Sequence, residues 1–181
     1  TIKYKDCFIE RMKNGASVND LLVFFNQAAS LSNLSFSISM DEVIPYLQSF
    51  LFLNRNNILN VQNAELDHVS TVGEYNLKCI IDRIDAGQII VDYKTGNPRY
   101  IVRRQLNIYA YSLNRHRWTP YKLMYQLLKT NEVREWNYTA RLHHETEKYL
   151  LDSIAIIENT RTFNRIPTGL CKYCGVRDQC Y

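Results

Sequence analysis

Long apolar runs are missing from this 181-residue chain; the longest unbroken one is Leu21–Phe25, far short of the roughly 20 residues a membrane-spanning helix needs. Glycine and proline are sparse, at 6 and 4, and neither a repeat nor a low-complexity tract is present. No signal peptide opens the sequence, and it begins at Thr1 rather than Met; we therefore expect an intracellular chain (cytoplasm or nucleoid), trimmed at its start. Disorder is excluded by a composition of 46% apolar and 22% charged residues, ordinary for a protein with a core. The length suits one domain. We divide it into a helical part (1–60), a core (61–160) and a cysteine-bearing tail (161–181).

Acidic residues are missing from one long stretch. None lies between Asp92 and Glu132, where Lys94, Arg99, Arg103, Arg104, Arg115, Arg117, Lys122 and Lys129 fall. The whole chain is only +4, so outside this stretch it is net acidic. One strongly positive segment in a nearly neutral protein points to a polyanion, most often nucleic acid.

Cysteines crowd the ends. Of five, Cys171, Cys174 and Cys180 form a C-x2-C-x5-C tail and Cys7 stands near the start. Without a secretory signal, such clustering favours a metal site over disulfides. Cys7 is the natural fourth ligand because Cys79 lies inside an apolar strand. Zinc and an iron–sulfur cluster both accept four thiolates; a single C-x2-C knuckle, where zinc sites usually pair two, tilts the spacing toward iron–sulfur.

Along the chain, Ser17–Asp20 resembles a capping box ahead of Leu21, Leu22, Phe24 and Phe25, and a second helix is expected over Asp41–Leu53. Asn54–Asn60 is a polar break. Strand periodicity follows over Val61–Val69, Tyr75–Asp85 and Ile89–Lys94. After the Thr95–Pro98 break come a helix over Tyr100–Leu113, strands over Tyr121–Lys129 and Arg134–Tyr138, and a helix over His143–Asn159. This order predicts an α/β fold, a mixed central sheet flanked by helices.

The chemistry concentrates in Ile80–Gly96. A hairpin centred on Gly87 sets Asp82 opposite Asp92, with Cβ atoms about 5 Å apart. Asp92 and Lys94 are two residues apart and leave the strand on one face. Two neighbouring carboxylates repel, and a divalent cation relieves this; oxygen ligands suit magnesium or manganese. A nearby lysine can serve an attacking water while the cation stabilises charge on a phosphate. The apolar run before Asp92 argues against a mere surface ion pair.

Asp82, then Asp92-Tyr93-Lys94-Thr95-Gly96, then Gln105-x3-Tyr109 resembles the PD-(D/E)XK nuclease superfamily, in its RecB-type branch. Together with Cys7, Cys171, Cys174 and Cys180, the pattern is similar to the iron–sulfur-stapled members, such as CRISPR-associated exonucleases and the AddB nuclease domain. The resemblance implies a restriction-endonuclease-like core. It implies a Mg2+- or Mn2+-dependent DNase, an exonuclease on single-stranded or end-exposed DNA, with a 4Fe-4S cluster joining the N-terminal helices to the tail. Asp82, Asp92 and the Tyr93 carbonyl would hold the catalytic metal, with Glu65 assisting, and Lys94 would serve the water. Gln105 and Tyr109, i and i+4 on a helix, would support the site, and Arg99, Arg103 and Arg104 would meet DNA phosphates. A helicase or CRISPR-adaptation protein would be the partner. Two departures stand out: Cys79 replaces the family's glycine, and no histidine precedes His68, whereas many relatives carry an early metal-binding one. The alternatives are a non-catalytic DNA-binding or assembly module on the same fold and a zinc-stapled nuclease.

Overall fold

The strand-forming residues of the middle third pair into one sheet in a computed structural model that describes residues 14–31, 40–55, 60–114, 119, 121–162 and 165–180. Strands β1 (Val61–Val72), β2 (Tyr75–Asp85) and β3 (Ile89–Lys94) form an antiparallel meander. The second turn is made at Gly87, where φ is +78°, a conformation glycine adopts without the Cβ penalty. Helix α3 (Arg104–Leu113) then carries the chain across so that β4 (Lys122–Leu127) pairs parallel to β3, and β5 (Glu132–Asn137) closes the sheet antiparallel. The strand order is β1-β2-β3-β4-β5. Only a crossover element can join the parallel pair, so α3 must lie against the sheet over β3 and β4.

Helices cover both faces. On one face α3 and α4 (Ala140–Asn159) bury the main core, built of Ile81, Ile90, Leu106, Ala110, Tyr111, Leu123, Tyr125 and Tyr138. On the other face α2 (Met40–Asn54) lays Phe50 against Tyr93, with ring centroids 5.4 Å apart. Helix α1 (Val18–Leu31) packs Leu21 onto Leu47, Phe50 and Leu51. It opens on a reciprocal cap in which Asp20 N–H donates to Ser17 Oγ at 3.3 Å and Ser17 N–H to Asp20 Oδ2 at 2.9 Å. Because β3 is covered on both sides, Ile90, Val91 and Asp92 are all but inaccessible. No helix among the described residues is long and apolar enough to cross a membrane.

Of the boundaries that differ from the sequence reading, three change a cap or a buried residue. The helix expected from Tyr100 starts at Arg104, because Asn97 caps a separate 3-10 turn, Pro98–Tyr100, by accepting from Arg99 N–H at 3.0 Å. The last long helix starts at Ala140 rather than His143, with Thr139 as its N-cap accepting from Leu142 N–H at 3.3 Å. Asn54 is the end of α2 rather than the start of a polar loop, and it is fully buried.

Candidate active site

Alternation along β3 sorts its side chains between the two faces: Tyr93 turns toward α2, whereas Asp92 and Lys94 turn toward α3. The hairpin register, Arg83 opposite Val91 and Ile84 opposite Ile90, is centred on Gly87, so one further step sets Asp82 across from Asp92. Asp82 Oδ2 accepts from Tyr93 N–H at 3.3 Å, which ties the β2 carboxylate to the β3 backbone.

Asp92 is 1% exposed. Its Oδ2 is buried, and its close partner is the Lys94 ammonium, with Nζ 2.6 Å away. Burial chiefly, and then the neighbouring Asp82 charge, push the Asp92 carboxyl up to about 6, against the pull of Lys94. The Lys94 ammonium is in turn held from α3. It donates to Gln105 Oε1 at 2.7 Å, and Gln105 Nε2 donates to Tyr109 OH at 2.8 Å. Gln105 and Tyr109 thus form a relay down one helix face that ends on the lysine. Burial raises the Tyr109 phenol, which keeps it protonated. Beneath the ammonium lies Tyr125, its ring centroid 5.3 Å from Nζ, and its hydroxyl donates to Val102 O at 3.0 Å.

Behind β3 is a buried polar group that the sequence reading did not single out. Arg83 donates to both carboxylate oxygens of Asp85 at 2.6 Å and to Tyr93 OH at 3.1 Å. It also donates to Asn54 Oδ1, which accepts from Gln126 Nε2 at 2.9 Å. A fork-shaped guanidinium satisfied on all sides fixes β2, β3, β4 and α2 relative to one another. The available signal was Arg83-x-Asp85, an opposite-charge pair two residues apart on one strand.

The remaining expected residues fall into place unevenly. Glu65 is exposed on β1 with φ +49°, where the β1–β2 ladder pairs Ala64 with Arg83 and Leu66 with Ile81 but skips Glu65 and Asp82. The flanking pairs keep one register, which sets Glu65 across from Asp82; the β-bulge lies nearer the strand start, between Val61 and Asn63. Among the described residues no three His, Cys, Asp or Glu side chains are grouped to hold a metal ion. The tail thiols are therefore not gathered at one point either: Cys171 Sγ accepts from Thr168 N–H at 3.2 Å, and Cys174 and Cys180 are exposed. Cys7 lies outside the described residues, as do Arg115, His116, Arg117 and Trp118. Arg99 and Arg103 do not share a helix face, because one lies in the 3-10 turn and the other precedes α3. Arg103 sits over the Trp136 ring and Arg104 over the Tyr149 ring. Tyr111 is core, with its hydroxyl donating to Glu147 Oε1 at 3.0 Å.

A divalent cation fits the donor chemistry of Asp82 and Asp92: two neighbouring carboxylates, one of them buried. They form a two-carboxylate site that needs backbone or water oxygens to complete it. A four-thiolate cluster is not assembled by the described residues.

A mixed five-stranded sheet whose central strand ends in a buried Asp–Lys pair, with a second Asp across the hairpin and a helix-borne Gln on the lysine, defines a class of α/β protein with an acidic–lysine site. The family model for the PD-(D/E)XK nuclease superfamily matches residues 37–181, and the chain belongs to that superfamily. Among solved structures, an Eubacterium rectale protein named provisionally as an exonuclease superposes with a TM-score of 0.51 at 12% identity, over 96% of this chain and 77% of that one. The protein SSO0001 gives 0.44 at 19% identity, over 95% of this chain and 78% of that one. At 12% identity the first of these likenesses concerns the fold alone. No curated protein matches the chain in sequence.

Proposed function

We propose that this chain is a Mg2+- or Mn2+-dependent deoxyribonuclease that hydrolyses phosphodiester bonds in single-stranded or end-exposed DNA, acting as an exonuclease. The observation that carries this reading is the buried Asp92 carboxylate with the Lys94 ammonium 2.6 Å from its Oδ2. Asp82, Asp92 and the Tyr93 carbonyl would hold the cation, which when bound supplies charge neutralisation on the scissile phosphate. Lys94 orients the attacking water and stabilises the hydroxide character it gains. The water's oxygen bonds to phosphorus as the water gives up a proton to solvent, the P–O bond to the leaving oxygen breaks, and that oxygen is protonated from solvent. Gln105 and Tyr109 position Lys94. Removing both members of the pair in turn tests this: Asp92→Asn and Lys94→Met are expected to remove manganese-dependent cleavage of a labelled oligonucleotide while leaving the circular dichroism spectrum unchanged.

One observation favours a second reading, a non-catalytic DNA-binding or assembly module. No three-ligand metal group exists among the described residues. DNA binding with no cutting in either magnesium or manganese would establish it. A helicase or CRISPR-adaptation protein is the partner either form would serve.

An iron–sulfur staple through Cys7, Cys171, Cys174 and Cys180 completes the proposal. Its support is the donor set, three thiols within the last eleven residues, and the long loop such a link would close. Iron and acid-labile sulfide in anaerobically purified protein test it, and stoichiometric zinc in a colourless protein overturns it.

A further inference from the structure

Beside the active site, between α3 and α4, lies a groove of about 360 Å3 lined by Val102, Arg103, Arg104, Asn107, Thr146 and Tyr149. We propose that this groove seats one further nucleotide of the DNA strand, with its phosphate on Arg103 and Arg104 and its base against the neighbouring aromatic rings. The proposal rests on the nuclease reading above and adds to it a second subsite away from the scissile phosphate.

Two arginines converge on the groove without carboxylate partners among the described residues. Arg104 Cζ lies 4.1 Å from the Tyr149 ring centroid and its Nη1 donates to Tyr149 OH at 3.4 Å. Arg103 Cζ lies 5.1 Å from the Trp136 ring. A guanidinium resting on an aromatic face is held in place while its N–H edge stays available, and that edge matches a phosphate. Arg103 also stands at the start of α3 and supplies no capping side chain, so the amides of the first turn add to the positive end of the groove. The one carboxylate on the wall, Glu145, is already engaged by Arg141 Nε at 2.7 Å.

A row of packed side chains ties the groove to the active site. Lys94 Nζ lies 5.3 Å from the Tyr125 ring, Tyr125 lies 5.6 Å from Trp136, and Trp136 lies 5.1 Å from the Arg103 guanidinium. Trp136 is fixed at its edge, where Nε1 donates to Asn107 Oδ1 at 3.0 Å. Tyr125 is 1% exposed, so this row fixes the groove relative to Lys94, and stacking is confined to the partly exposed Trp136 and Tyr149 rings. A duplex offers no unpaired base to these rings, so the groove selects single-stranded DNA.

Two charge-matched double variants test the subsite: Arg103→Gln with Arg104→Gln, and, as control, Lys129→Gln with Lys148→Gln on exposed surface. Binding of a fluorescent single-stranded 12-mer is followed by anisotropy in EDTA, where nothing is cleaved. The arginine variant is expected to bind about tenfold more weakly, with a salt slope shallower by about 0.7 for each phosphate it no longer neutralises, while the control binds as the wild type. In a Trp118→Phe background Trp136 is the remaining tryptophan of two; the 12-mer is expected to quench its emission, and deoxyadenosine monophosphate at the same concentration is not. Equal loss in both double variants reduces the effect to overall charge and overturns the subsite. Quenching by the mononucleotide with no gain from the 12-mer overturns it too, since the groove would then be a free-nucleotide site. Manganese-dependent cleavage by the wild type, measured alongside, separates the two levels: cleavage with arginine-insensitive binding removes the subsite alone, and the absence of both binding and cleavage removes the nuclease reading.

Discussion

Lys94 and Gln105 meet across the strand-to-helix crossover, the lysine's Nζ donating to the glutamine's Oε1 at 2.7 Å. The contact gives the ammonium a second anchor besides Asp92, so its position is set from two elements rather than one. Gln105→Leu should therefore lower kcat by about tenfold or more with little change in KM, because it loosens the group serving the water without removing a DNA contact. Tyr109→Phe, which removes only the relay's last hydroxyl, should cost less. Steady-state kinetics on a labelled oligonucleotide distinguish the two.

The buried Asp92 makes the metal-free protein pH-sensitive. Its carboxyl is raised from 3.8 to about 6, so between those values the native state holds a proton that the unfolded chain has lost. Stability contributed at this site is then full below about pH 4 and falls as pH rises through 6, by about 3 kcal/mol in all. Asp92→Asn has nothing to titrate there. In EDTA its stability relative to wild type should rise between pH 4 and 7 and then level off, as read from urea unfolding. A difference independent of pH would contradict the burial argument.

Removing one member of the network behind β3 should be expensive. Arg83 and Asp85 are 3% and 5% exposed at their side chains, so Arg83→Met strands a buried carboxylate at a cost of roughly 3–5 kcal/mol. The double variant Arg83→Met/Asp85→Leu should recover much of that loss, because no charge is left unpaired. Thermal denaturation of both gives the comparison.

These predictions draw on features of unequal legibility. The Gly87 hairpin could be read from the chain because strand pairing is local there: once the turn is placed, register follows by counting, and Asp82 falls across from Asp92. The apolar run Ile89–Val91 likewise marked a strand covered on both faces. The Arg83 group was harder to see, since Asn54 and Gln126, its partners, are far apart in sequence and meet only when α2 docks on the sheet. Glu65 is a different case. It stands across from Asp82 in the β1–β2 register, but at positive φ it drops out of the ladder pairing, and no residue-type pattern signals that. The start of α3 moved to Arg104 because Asn97 and Pro98 make a capped turn of their own, a competition between two local signals that periodicity does not decide. The cysteine spacing names ligands, yet only packing of chain ends could bring them together.

The most direct measurement is manganese-dependent cleavage of an end-labelled single-stranded oligonucleotide by wild type, Asp92→Asn and Lys94→Met, with folding of each checked by circular dichroism. The expected result is cutting by the wild type and none by either folded variant. Undiminished cutting by a folded Asp92→Asn or Lys94→Met protein would contradict the account.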